Sequence, residues 1–266
     1  MSFNAIAKAI KEVKIQGARN IAKAALLAYS MNPTKSAKVK LISLRPTEPM
    51  LVNVLDKADK LPKQEILKHF DDAQTKINKF VFRIIKNNSK IFTHCHSTNV
   101  VNALIYSKKH GKKFEVYNTE TRPLLQGHKT AKELAKVGIR VTMVVDSAVG
   151  GLFENKSKKI NAMFIGADAL LKNGDIINKI GSNMFAEIAY DNKVPVYIIA
   201  DSWKFSKRPV KIEERAHQEI WKHAPKHVKI RNPAFETVKA KYITAIISEL
   251  GIQKPKAFVK KVPAGQ

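Results

Sequence analysis

The sequence predicts an α/β protein in which a helical part leads into a parallel sheet. Three observations carry that expectation. Apolar residues recur three and four apart through residues 1–89, short β-branched runs alternate with helical stretches from Lys90 onward, and every predicted strand ends in polar residues. Of the 266 residues, 44% are apolar, which is enough for a buried core of ordinary size without an external staple.

The helical part opens with Ile6, Ile10, Val13, Ile21, Ala25 and Leu26, whose spacing predicts a helix pair or bundle. Its strongest helix is predicted over Ile66, Phe70, Ala73, Ile77, Phe80, Val81 and Ile84. Between them Leu41-Ile-Ser-Leu-Arg-Pro-Thr-Glu-Pro49 breaks the pattern twice with proline, so Arg45 is expected on an ordered turn. Strands are then predicted over residues 91–93, 114–118, 140–145, 162–165 and 196–199, with helices near 100–110, 131–137 and 184–192. The alternation is that of parallel strands joined by crossover helices. It divides the chain into a helical domain at 1–89, a sheet domain at 90–253 and a basic tail at 254–266, which carries four lysines and two prolines and is expected to fray.

Composition narrows the chemistry. Cys95 is the single cysteine, so an intramolecular disulfide and a multi-thiolate zinc site are excluded, and a reducing, cytoplasmic setting is expected. No apolar run approaches the roughly 18–20 residues of a membrane span, so no membrane partner is expected. The net charge of +26 draws anions to the surface. Its lysines are dispersed and lack the aromatic stacking motifs of RNA-binding modules, so phosphorylated small molecules are expected rather than specific nucleic-acid binding.

In an open parallel sheet, ligands bind beyond the carboxyl ends of the strands. Those positions read Thr93-His-Cys-His-Ser97, Thr119-Glu-Thr-Arg-Pro123, Asp146-Ser147, Gly166-Ala-Asp168 and Asp201-Ser-Trp-Lys204, and a shared cleft is expected there. A lone cysteine is more often a small core residue. Cys95, however, sits at a strand-to-helix turn with Ser97 and Thr98 as caps, where a helix N-terminus would lower its pKa toward the thiolate. His94 and His96, two apart on a strand, would share a face that Cys95 does not, which argues against a metal site. Asp168 precedes Asn173-Gly-Asp-Ile-Ile-Asn-Lys-Ile-Gly181, where Asn178 and Lys179 are expected to open a helix and cradle a phosphate. Gly17, Ala18 and Arg19 form a weaker signal of the same kind.

With these residues goes a resemblance to a known superfamily: methylthioribose-1-phosphate isomerases, archaeal ribose-1,5-bisphosphate isomerases and the α, β and δ regulatory subunits of translation initiation factor 2B. Its markers here are Ile15-Gln-Gly-Ala18, Arg45-Pro-Thr47, Thr93-His-Cys-His-Ser97, Glu120-Thr-Arg-Pro123 with Gln126-Gly127, Gly166-Ala-Asp168, Asn178-Lys-Ile-Gly181, Trp203-Lys-Phe205 and Arg231-Asn-Pro-Ala-Phe235. The resemblance implies a helical N-terminal domain before a Rossmann-like domain, and a homodimer or higher homo-oligomer. It implies an aldose-ketose isomerase in which Cys95 takes the proton from carbon 2 of the sugar and Asp168 opens the ring, with neither metal nor nicotinamide required. Gly17, Ala18, Arg45, Ser97, Asn178, Lys179 and Lys204 would contact phosphate and hydroxyls.

Two cations typical of the bisphosphate enzymes are replaced, by Gln16 and Thr98, and Arg19 is the residue expected to stand in for one of them. The asparagine-threonine-glycine of the methylthioribose enzymes is missing after Cys95, so ribose 1,5-bisphosphate leads as substrate. The rival expectation is a regulatory subunit that binds nucleotide or sugar phosphate and engages an initiation factor.

Overall fold

In the computed structural model, which describes residues 1–154 and 159–263, five helices come first. They are α1 (Phe3–Lys11), α2 (Ala18–Met31), α3 (Lys35–Ser43), α4 (Pro49–Ala58) and α5 (Lys63–Ile84). Local chemistry sets their starts. Ser2 and Thr34 cap α1 and α3 by accepting hydrogen bonds from Ala5 N and Ala37 N, Gly17 enters α2 at φ +84°, and Pro49 occupies the first turn of α4, where its missing N–H costs nothing. Ile6, Ile10, Ile21, Leu41, Leu51 and Leu55 bury a common core between these helices.

The alternating part follows as β1 (Ser89–Thr93), α6 (Thr98–Lys109), β2 (Phe114–Thr119), α7 (Gln126–Ala135), β3 (Arg140–Val144), α8 (Val149–Glu154), β4 (Ala162–Ile165), β5 (Ala169–Leu171), β6 (Ile176–Lys179), α9 (Ser182–Asp191), β7 (Val196–Ile199), β8 (Phe205–Ser206), β9 (Phe235–Val238), β10 (Ala245–Ser248), β11 (Gly251–Gln253) and α10 (Pro255–Lys261). Seven strands form one sheet in the order β11-β10-β7-β4-β1-β2-β3, parallel except for β11. Both faces are covered, which is why the strand sequences run almost continuously apolar. On one face Phe92, Met163, Ile165 and Ile198 pack with Phe185 and Phe258; on the other Ile91, Val116, Phe164 and Ile247 meet Ile77, Val81, Val100 and Leu104 of α5 and α6. The first three strands step outward to one side of β1 and the later ones to the other side of β4, so the chain reverses direction between β1 and β4.

Three expectations need correction. Asn178 and Lys179 do not open a helix: they end β6, paired antiparallel with β9 in a second sheet of order β8-β5-β6-β9, and the helix begins at Ser182 after Gly181 turns the chain at φ +98°. The expected tail is folded as far as Lys261. It forms α10, because Phe258 is completely buried against the sheet and Lys261 Nζ donates to Leu250 O at 2.9 Å; residues 264–266 lie outside the described part. Strands β10 and β11 and the second sheet were not foreseen at all. Among the described residues no helix is long and apolar enough to cross a membrane.

The two halves are sewn together at Trp203. The His69 ring stacks on it at 3.6 Å with an interplanar angle of 3°, and Asn53 Nδ2 donates to Trp203 O and Phe205 O at 2.7 and 2.9 Å. Thr47 donates to Lys211 O at 2.6 Å and accepts from Glu213 N at 3.1 Å. These bonds hold the α3–α4 turn over the carboxyl ends of the strands.

Candidate active site

The reversal between β1 and β4 leaves a crevice beyond their carboxyl ends, where neighbouring connections leave on opposite sides of the sheet. Cys95 follows β1 and Asp168 follows β4. Gly166 lets the two loops touch, since a Cβ there would lie 2.5 Å from Ser97 Oγ. Cys95 itself takes a left-handed conformation, φ +66°, unusual for a residue with a side chain. Two threonines hold it so: Cys95 N donates to Thr121 Oγ1 at 3.0 Å, and Thr130 Oγ1 donates to Cys95 O at 2.8 Å.

The flanking histidines are committed elsewhere. His94 is buried, with Nε2 2.9 Å from Ile180 O and Nδ1 2.6 Å from Thr119 Oγ1. The carbonyl can only accept, so Nε2 carries the proton and the threonine hydroxyl donates to Nδ1. Burial pulls the pKa of His94 down to about 4, and burial with the nearby Lys129 does the same to His96. His96 Nε2 lies 3.3 Å from Glu133. The strand ends at Thr93, so these side chains part because of the turn geometry and not because of strand alternation.

The second sheet supplies the rest of the floor. Asp168 N donates to Ile177 O at 2.8 Å, Asn178 and Lys179 end β6, and Lys204 stands just before β8, donating from Nζ to Ala167 O at 2.5 Å. Lys179 Nζ lies 4.7 Å from the centre of the Phe235 ring. Neither lysine has a carboxylate ion pair among the described residues. The helical N-terminal region forms the roof through Gly17, Ala18 and Arg19 at the start of α2 and Arg45 before α4.

One cleft of about 1090 Å³, its open mouth included, is lined by all ten sequence-flagged residues: Cys95, Asp168, Gly17, Ala18, Arg19, Arg45, Ser97, Asn178, Lys179 and Lys204. Not every strand end reaches it. Asp146 spends its carboxylate on the backbone N–H groups of Thr121 and Arg122, and Asp201 caps Trp203 N and meets His69. Arg19 lines the cleft but is paired with Asp71 at 2.7 Å, so the stand-in cation arrives already engaged.

Sequence reasoning missed Glu48, Glu213, Arg215, Glu219 and Asn232. Arg45 Nε donates to Glu213 at 2.9 Å and Nη2 reaches Glu48 at 3.4 Å, while Arg215 and Glu219, paired at 2.6 Å, line the cleft with Asn232. The signal available for Glu48 was its place three residues after Arg45 in a turn already singled out. The Glu213-Glu214-Arg215 run lies where no regular element was expected, and only its density of charge marked it.

Electrostatics correct one expectation about the thiol. Burial, with Asp168 and Asp146 adding to it, pushes Cys95 up to about 11 against the opposing pull of Lys179. The dipole of α6 does not win, because desolvation of a thiolate outweighs one helix end. Asp168 is likewise raised, by burial, against Lys204, Lys179 and Arg45. The resting site therefore holds a neutral thiol beside a carboxyl that retains its proton more readily than in water. Iodoacetamide is expected to alkylate Cys95 about 30-fold more slowly than free cysteine at pH 7.5, the loss of thiolate being partly offset by its greater nucleophilicity. Mass-spectrometric rates between pH 7 and 10 test this, and a rate equal to that of free cysteine would remove the raised pKa.

Comparison with known proteins gives consistent relatives. The model of the initiation factor 2 subunit family matches residues 47–255. A ribose 1,5-bisphosphate isomerase of Methanocaldococcus jannaschii is 36% identical over 279 residues, covering 92% of this chain and 89% of that protein. A methylthioribose-1-phosphate isomerase of Fervidobacterium nodosum is 32% identical, covering 95% and 86%. Among solved structures, a translation initiation factor eIF-2B of Pyrococcus horikoshii has the same fold, with a TM-score of 0.84 at 24% identity over 97% of this chain and 98% of that one.

Proposed function

This chain belongs to the initiation factor 2 subunit family, and on that premise we propose that it is an aldose-ketose isomerase of phosphorylated pentoses, converting ribose 1,5-bisphosphate to ribulose 1,5-bisphosphate. The observation that carries the reading is the pairing of one thiol and one carboxyl, Cys95 and Asp168, at adjacent strand ends in a cleft with Lys179 and Lys204 free of carboxylate partners among the described residues.

A sugar blocked by phosphate at carbon 1 cannot open to a free aldehyde. Cys95 first gives up its thiol proton to solvent, because the resting thiol is neutral. Asp168 then gives its proton to the ring oxygen as the bond from that oxygen to carbon 1 breaks, and the Cys95 thiolate takes the proton from carbon 2. The carboxylate then removes the proton from the carbon-2 hydroxyl, and the thiol returns a proton to carbon 1, leaving a ketone and both catalysts as they began. Negative charge that develops on oxygen is met by Lys179 and Lys204 in a cleft of low dielectric. The reaction as written consumes no cofactor. The same reading takes the chain as a homo-oligomer, and the outward-facing edge strand β3, with Met143 and the following Val145 exposed, is the surface that favours self-association.

The decisive experiment is incubation with ribose 1,5-bisphosphate and, in parallel, methylthioribose 1-phosphate. Ribulose 1,5-bisphosphate is the expected product. Conversion of the methylthio sugar alone would move the assignment to that substrate, and turnover of neither would end the isomerase reading.

A further inference from the structure

The helical roof of the cleft contains a carboxyl that the isomerase chemistry does not use. Glu48 caps the start of α4 and is 1% exposed, as buried as any aliphatic residue of the core. Its Oε2 has no hydrogen-bond partner among the described residues, nor has Nη1 of Arg45, whose side chain is 6% exposed. Both residues line the cleft. A buried acceptor and a buried donor left open side by side, each costly to desolvate, are groups waiting for a ligand. Arg45 is also a compromised cation. Its charge is shared between Glu213 and Glu48, and an anion arriving there would have to enter the field of Glu48, Glu213 and Asp168 as well.

We propose that Glu48 is a substrate-binding residue of this cleft: it takes up one proton from solvent when an anionic end of the sugar phosphate engages Arg45, and in that neutral form donates a hydrogen bond to the ligand. The inference rests on the isomerase reading and adds to it a condition under which a doubly charged sugar is admitted.

The charged groups facing Glu48 come from four places: Arg45 from its own turn, Asp168 beyond β4, Lys204 before β8 and Glu213 from the loop that follows. Burial and Asp168 raise its pKa to about 8 in the empty cleft, although Arg45 and Lys204 oppose them. A phosphate added to that neighbourhood raises it further. The sign follows: the liganded state binds more protons than the free state, so affinity holds below about pH 8 and falls as pH rises above it.

The test is calorimetric titration of ribose 1,5-bisphosphate into Cys95→Ser protein, where turnover is slowed, between pH 7 and 9.5 in two buffers of different ionisation enthalpy. Above pH 8 the phosphates carry their full charge, so proton uptake there comes from the protein. The expected result is uptake approaching one proton and a Kd that rises about tenfold per pH unit above 8.5. Adding Glu48→Gln, which mimics the neutral acid, is expected to flatten the profile, so that this variant binds about tenfold more tightly than its parent at pH 9.5. Should Glu48→Gln not fold, the proton count is repeated with Asp168→Asn added, which leaves Glu48 as the raised carboxyl facing Arg45, and no uptake there overturns its role. Binding with no proton uptake, or the same slope in Glu48→Gln, overturns the role of Glu48 and leaves the isomerase reading standing. No binding at any pH overturns both.

Discussion

Cys95→Ser and Asp168→Asn are each expected to lower the rate of isomerisation by a factor of about 10²–10⁴, with sugar phosphate still bound. The two losses have different physical origins. A serine hydroxyl keeps the size of the thiol but has a pKa far above it, so no useful base remains at carbon 2. An asparagine keeps the shape of the carboxyl, yet it cannot give a proton to the ring oxygen. Because the two groups act in one proton circuit, the double variant should be hardly worse than either single one, a non-additivity that independent contributions would not produce. Steady-state kinetics on all three proteins, with binding measured separately, checks this. Singles retaining more than a tenth of the parent rate would remove Cys95 and Asp168 from the chemistry.

The second large effect is structural. Gly127→Ala is expected to cost about 3 kcal/mol of stability and to lower Tm by about 6–12 °C. Gly127 lies in the first turn of α7, pressed on the end of β2: a Cβ would fall 1.8 Å from Thr119 O and 2.9 Å from the Glu120 carbonyl. Both obstacles are backbone, so no side-chain rotation relieves the clash. The helix must lift from the sheet, breaking the bonds from Gly127 N to Glu120 O and from Asn118 Nδ2 to Gly127 O. Thr121 and Thr130, which hold the left-handed turn at Cys95, belong to the same stretch, so the remaining folded protein should also turn over more slowly. Urea and thermal unfolding read the first effect, and an unchanged Tm would show that the close approach can relax.

How much of this was legible depended on how strongly each element signalled alone. The strands at residues 91–93, 114–118 and 162–165 could be read because burial on both faces makes them short runs dominated by apolar and β-branched residues. The small sheet could not, since β5 and β8 have three and two residues and exist through pairing with distant partners. That is also why Asn178 and Lys179 were given to a helix: Gly181 two residues on is a fair helix start, and nothing local announces the β9 partner. The tail looked frayed because lysines hid one phenylalanine whose burial depends on the sheet beneath it. Within the cleft, the ten flagged residues carried motif or turn signals. Glu48 carried only its place three residues after Arg45, because a carboxyl in a helix start is ordinarily solvated and only tertiary burial makes it unusual.

The ring stack and hydrogen bonds along the Trp203 seam join two parts with separate duties. Cys95, Asp168 and Lys204 stand in turns next to the strands and Lys179 ends β6, whereas Gly17, Arg19, Arg45 and Glu48 lie at or beside helix starts on the far side of that joint. On the isomerase reading proposed above, reactivity and discrimination are encoded in different stretches of chain. Exchanging helix termini in the roof can retune which sugar is accepted without disturbing the machinery that moves its protons, so a single scaffold can drift among substrates while its chemistry stays put.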